Sequence, residues 1–102
     1  MKSYKTVIFK EDNKRKVVFH ETVVVSHDLQ NGEIKIDSGG WKTSTTKDRI
    51  NAYFKEYVNG FIRLYQSKWE WFIEDNDNVY PFKDGMKFKP LSDGNFALID
   101  GQ

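Results

Sequence analysis

Thr45-Thr46-Lys47-Asp48-Arg49-Ile50-Asn51-Ala52-Tyr53-Phe54-Lys55-Glu56-Tyr57-Val58-Asn59-Gly60 is the stretch on which the fold turns. Ile50, Phe54, Tyr57 and Val58 fall at i, i+4, i+7 and i+8. They form one apolar stripe and predict an amphipathic helix over 46–59. Thr45 to Asp48 has the spacing of a capping box, with Thr45 as N-cap and Asp48 in place of the usual Glu. Asn59-Gly60 supplies a left-handed stop. No other segment carries a helical period with both ends marked, so one helix among short β-type runs makes the class α+β.

On the N-terminal side, Thr6-Val7-Ile8-Phe9 reads as a strand and Glu11-Asp12-Asn13-Lys14-Arg15 as a polar turn. Residues 16–27 form a long β-type segment with Val17, Phe19, Val23 and Val25 alternating, and its length predicts a bend or bulge near His20-Glu21-Thr22. Asn31-Gly32 between Leu29 and Ile34 is a type I′ hairpin signal. On the C-terminal side, residues 61–65 and 69–73 read as strands, Asp75-Asn76-Asp77-Asn78 as a turn, and 79–82 as a strand. Asp84-Gly85 then turns into Met86-Lys87-Phe88. The expected architecture is a curved antiparallel β-sheet with one α-helix packed on it, β-β-β-α-β-β-β, with residues 1–102 as a single domain.

Aromatics make up 16% of the 102 residues and must supply much of the core, because Leu and Ile are few. There is no Cys, which removes disulfides, thiol nucleophiles and cysteine zinc sites. Met1-Lys2-Ser3-Tyr4 leads into no apolar run of the signal-peptide kind, and no run of about 18 apolar residues occurs, so no membrane partner and a cytoplasmic protein are expected. A net charge of +1 disfavours both wholesale DNA mimicry and non-specific nucleic-acid binding. Either role would need a local patch. The mild one here is Lys35, Lys42, Lys47, Arg49 and Lys55 against Asp37 and Asp48, which reads first as an ordinary solvated face.

Chemistry concentrates just ahead of the helix, at Ser38-Gly39-Gly40-Trp41-Lys42-Thr43-Ser44-Thr45-Thr46-Lys47-Asp48-Arg49-Ile50-Asn51. Two readings stand. In one, the glycines turn the chain, the threonines cap the helix and Trp41 enters the core. In the other, Gly39 and Gly40 gather backbone N–H groups into an anion-holding nest at the helix N-terminus. Thr43 and Thr45 would then hydrogen-bond the anion, Lys47 and Arg49 neutralise it, Trp41 stack on a base, and Asn51 read a base edge. The phosphate-loop pattern G-x-x-x-x-G-K-[ST] is absent.

Other candidates are weaker. Phe61, Tyr65, Trp69, Trp71 and Tyr80, with Arg63 and Lys68 beside them, would suit a stacking platform for single strands, but a core made of aromatics is the favoured reading. His20 and His27 are seven apart, face opposite ways in a regular strand, and read as exposed or edge residues. Asp75-Asn76-Asp77-Asn78 begins like a calcium loop, yet Tyr80 stands where Gly is required, so turn chemistry explains it. Ser26, His27 and Asp28 are adjacent and alternate faces, so they form no triad. The expectation is a protein that is not an enzyme and uses no cofactor.

The segment 38–51, together with Tyr80-Pro81-Phe82-Lys83-Asp84-Gly85-Met86, resembles small proteins of tailed bacteriophages that share an SGGWxTxTTKxRxN motif and a YPFxDGM ending. The resemblance covers about residues 20 to 88 and leaves out the charged N-terminal hairpin and the tail from Ser92 to Gln102. It implies an accessory protein in the host cytoplasm that acts by binding and inhibits a host protein or an anti-phage defence complex. Two alternatives stand beside it: a nucleotide or nucleic-acid phosphate-binding module using the 39–49 junction, and a structural or virion-associated component. The sequence sets no oligomeric state, although a sheet edge near the N-terminus offers a second copy a place to pair.

Overall fold

The computed structural model describes residues 6–19, 21–40, 42–58 and 60–100. The chain runs β1 (Thr6–Glu11), β2 (Lys14–Phe19), β3 (Thr22–Asp28), β4 (Ile34–Ile36), α1 (Ser44–Tyr57), β5 (Arg63–Ser67), β6 (Glu70–Glu74), β7 (Val79–Pro81), β8 (Met86–Pro90) and β9 (Phe96–Asp100). The α+β class, the antiparallel pairing and the one helix are as expected. The strands divide into a six-stranded sheet, β1-β2-β3-β4-β8-β9, and a three-stranded sheet, β5-β6-β7.

Besides the Met86 segment, which forms β8, two local differences add strands and a third changes a turn. The long 16–27 segment reverses completely: Phe19 pairs with Thr22, and Glu21 takes a left-handed φ of 61°. The expected irregularity lies earlier, as a register shift between Val17 and Val18. The C-terminal tail contributes β9, which pairs antiparallel with β8. Between β3 and β4 only Gly32 is left-handed, so the turn is not type I′. Instead Asp28 Oδ1 accepts the N–H groups of Gln30 and Asn31 at 2.9 and 3.2 Å, and a four-residue loop replaces the two-residue one.

Val17, Phe19, Val25, Ile34, Ile36, Met86 and Phe88 line the inner face of the larger sheet, beneath Ile50, Tyr53 and Phe54 of α1. Leu64, Trp71 and Ile73 of the smaller sheet complete the same core. The helix packs on β2, β3 and β5 and so bridges the two sheets. Each fully buried side chain of this size stabilises by roughly 1.5–3 kcal/mol, against about 1 kcal/mol for a cap. The stripe therefore decides where the helix lies, and the cap follows. That is why the N-cap is Thr43 and not Thr45: Thr43 Oγ1 accepts the Thr46 N–H at 3.2 Å while Thr46 itself is fully buried. At the other end Val58 caps, and Asn59 lies outside the described residues.

Turn chemistry also joins the sheets at one end. Asp75 Oδ1 accepts the N–H groups of Asp77 and Asn78 at 2.9 and 2.7 Å, and Oδ2 accepts the Phe96 N–H at 2.9 Å. Asn95 accepts the Asn76 N–H and donates to the Asp77 carboxylate. Burial alone would raise the Asp75 carboxyl, but the donors from Phe96, Asp77 and Asn78 outweigh it and hold it below the usual carboxylate value. Residues 75–78 are thus a turn clasped to the β8–β9 connection. Among the described residues no group of three or more His, Cys, Asp or Glu is placed to hold a metal.

Candidate functional site

At the junction before α1, Gly39 and Gly40 have φ of +63° and +82°, both left-handed and open to glycine. Their N–H groups, however, already have partners within the chain. Gly39 donates to Asp37 Oδ1 at 2.6 Å, and Gly40 donates to Ser38 Oγ at 3.2 Å. Gly39 is also held by close packing, since a Cβ there would lie 2.5 Å from Thr22 Cγ2. Ser38 is buried and gives both its N–H and its Oγ–H to Asp84 Oδ1, at 2.8 and 2.7 Å. Gly85, next in the chain, donates to the Ile36 carbonyl at 2.9 Å. The SGG segment and the Asp84-Gly85 turn are therefore one structural joint.

The remaining junction residues diverge. Thr43 caps the helix and Thr45 is exposed in its first turn. Lys47 and Arg49 are two residues apart, about 200° around the helix, and so leave it on opposite sides. Arg49 lies against the Phe19 ring of β2, with its Cζ 6.0 Å from the centroid. Asn51 is committed to the fold: its Nδ2 donates to the Leu64 carbonyl at 2.7 Å and its Oδ1 accepts the Leu64 N–H at 2.8 Å. It thus acts as a strand partner for β5, with both ends of its amide engaged. Trp41 lies outside the described residues.

Lys47 points to a different feature. It lines a shallow, open depression of about 510 Å³ with Gln66, Lys68 and Trp69, at the tip of the β5–β6 hairpin. Ser67 pairs with Glu70, so Lys68-Trp69 is a two-residue turn, and both residues are left-handed, with φ of 51° and 69°. Such turns favour Asn-Gly, and a left-handed backbone at a bulky aromatic is an outlier. Trp69 is 92% exposed, while every other described Trp or Phe is far less so. Among the described residues neither Lys47 nor Lys68 has an ion-pair partner. The expected aromatic platform does not assemble around it. Trp71 is buried against Phe82, Tyr80 packs on Phe88, and Tyr65 stacks on Phe72 across the outer face. Trp69 leaves that group because it sits in the turn and not on the strand.

His27 is a second departure from expectation. It is half-buried at the rim of the core, and its Nδ1 is 2.6 Å from Tyr53 Oη, with the rings edge-on at 5.7 Å. Burial, then the neighbouring Arg15, lowers its pKa and favours the neutral imidazole, whose tautomer sets which of Nδ1 and the Tyr53 hydroxyl donates. Arg15 itself lies 4.3 Å over the Tyr57 ring, which stacks on Tyr53. His20 lies outside the described residues.

The profile of the Kyanoviridae Gp96 protein family matches residues 1–89. This chain belongs to that family. The Kyanoviridae Gp96 family is a bacteriophage family, in line with the resemblance carried by residues 38–51 and 80–86. Its match also takes in β1 and β2, so the N-terminal hairpin is part of the family's span, while β9 lies beyond it. No curated protein and no solved structure matches the chain. The Ser38–Asp84 joint links the two family-like motifs physically, which gives both a structural role. Trp69 carries no motif and no turn signal, and only its exposure in the fold marks it. No helix among the described residues is long and apolar enough to cross a membrane.

Proposed function

We propose that this Kyanoviridae Gp96 family member is a non-enzymatic binding protein. It works in the host cytoplasm by covering a surface of a host protein, and its action inhibits a host or anti-phage defence component. The observation that carries this reading is Trp69, held out almost fully exposed on a left-handed turn beside Lys47, Lys68 and Gln66. Tryptophan is enriched among the residues that anchor interfaces, and a large indole left in water gains by being covered. Backbone strain kept at such a position is the kind that serves contact rather than stability. The nest reading draws less support, because the N–H groups of Gly39 and Gly40 and the amide of Asn51 are spent within the chain.

The second reading, a nucleotide or nucleic-acid phosphate module, is favoured by one observation: Lys47 and Lys68 line the same depression as Trp69, which pairs cations with a stacking face. A pull-down of tagged protein from infected-host lysate, scored for bound proteins and bound small molecules, separates the two. A host protein retained by the natural chain and lost with Trp69→Ala supports surface occlusion. A nucleotide lost with Lys47→Ala and Trp69→Ala together supports the second reading. Retention unchanged in both variants rejects the hairpin tip. Equal responses of defence-proficient and defence-deficient hosts to expression would remove defence as the target.

A further inference from the structure

Sheet edges invite pairing with other chains, and proteins normally block them with bulges, prolines, charges or covering groups. Among the described residues, three of the four sheet edges carry such a device. Asn51 covers the outward N–H and C=O of Leu64 on β5. Strand β7 is three residues long and ends in Pro81. Strand β9 is twisted by a register shift between Lys87 and Phe88 of its neighbour. Among the described residues strand β1 carries none of these from Thr6 to Phe9, and its charges, Lys10 and Glu11, stand only at the turn end. It is six residues long, pairs with β2 in unbroken register from Thr6↔Phe19 to Glu11↔Lys14, and contains no proline.

The middle of this open edge, Val7 to Phe9, is apolar on both faces, while Arg49 and Glu56 share the lining of the helix-side groove. Val7, Ile8 and Phe9 are 47%, 45% and 37% exposed. Val7 stands beside Val18 and Val23 in one row across three strands on the outer face. Ile8 is on the helix side, where it lines a groove of about 470 Å³ with Val17, Ala52, Tyr53 and Tyr57. A strand exposed on both faces is not completed by a ligand lying on one of them. It is completed by another strand.

We propose that β1 pairs antiparallel with β1 of a second copy about a two-fold axis, giving a homodimer whose sheet is continuous across six strands of each copy. Paired residues in a sheet share a face, so even numbers meet even and odd meet odd. The register centred on Ile8 sets Ile8 against Ile8 in the groove side, Val7 against Phe9 twice on the outer face, and Thr6 against Lys10. A register centred on Phe9 would set Ile8 against Lys10 and Val7 against Glu11, placing apolar side chains against charges. One centred on Val7 would run Phe9 past the end of the described strand. The strand is self-complementary in the Ile8 register alone. This inference is independent of the hairpin tip.

The chain has no cysteine, which makes the test clean. Residues directly opposite in an antiparallel pair have Cα atoms about 4.5–5.5 Å apart, within disulfide range. Ile8→Cys should therefore cross-link to itself on mild oxidation. Lys10→Cys, whose two copies would lie about 13 Å apart along the strands at ~3.4 Å per residue, should not. Sedimentation should give a dimer for the natural chain and a monomer for Ile8→Lys, with unchanged circular dichroism because Ile8 is exposed. A natural chain that stays monomeric at about 100 μM, roughly the micromolar range in which such an interface should form, overturns the proposal. So does a dimer that survives Ile8→Lys, or equal cross-linking at positions 8 and 10. A monomer that holds a host protein only while Ile8 is intact would also overturn it, and would give the edge to a host strand.

Discussion

Trp69 combines two properties that stability alone would not keep together: a left-handed backbone and an almost fully exposed indole. An L-residue in that region costs about 1–2 kcal/mol, and glycine removes the clash while adding somewhat less than 1 kcal/mol of chain entropy to the unfolded state. Since the indole buries almost nothing, Trp69→Gly should raise stability by roughly 0.5–1 kcal/mol in urea denaturation. A loss of stability would mean that the tryptophan serves the fold. At His27 the expected effect is on pH dependence. Burial and then Arg15 hold its folded pKa below 6.5, so as pH falls the unfolded chain takes up the proton first. Stability is full above that value and declines as pH drops through it toward the folded pKa. The natural chain should lose more thermal stability than His27→Gln between about pH 7.5 and about pH 5.5. Equal losses would place the titration elsewhere.

At the scale of elements, α1 shows what a sequence carries and what it leaves open. The helix was legible because Ile50 and Phe54 repeat at 3.6 and few other segments compete. Its N-cap was not, because Thr43, Ser44, Thr45 and Thr46 are all competent caps and only tertiary burial of Thr46 chooses among them. In the sequence Asn51 looks like a ligand contact, because an amide in a basic segment gives no sign of its partner. That partner is the backbone of Leu64, brought near by the turn after the helix. Asn51→Ala should therefore cost roughly 2–3 kcal/mol, since it strands two backbone groups of a buried residue. Chemical denaturation checks this, and a change under 0.5 kcal/mol, the size of a neutral surface substitution, would contradict it. The Lys68-Trp69 turn was invisible for a related reason. Neither residue favours positive φ, and the strand pairing Ser67↔Glu70 imposes it.

Over the whole molecule, the two sheets are held by three ties: the core beneath α1, the Asn51–Leu64 pair, and the Asp75 and Asn95 clasp to the β8–β9 turn. Ser38 and Asp84 make a different kind of tie, closing the segment that enters the helix onto the turn that enters β8. Most residues of the anion-site reading are thereby built into the scaffold. What the scaffold leaves outside is the hairpin tip with Lys68 and the facing Lys47 of α1, neither ion-paired among the described residues, and, on another element, the open edge of β1. Contact surfaces in small binding proteins occupy such places, because the anchor must project from a frame that does not depend on it. The measurement that tests this most directly compares the natural chain with Trp69→Gly, both immobilised, for what each retains from infected-host lysate. The account predicts a host protein held by the first and absent from the second, although the second is at least as stable. The same protein retained equally by both would contradict it.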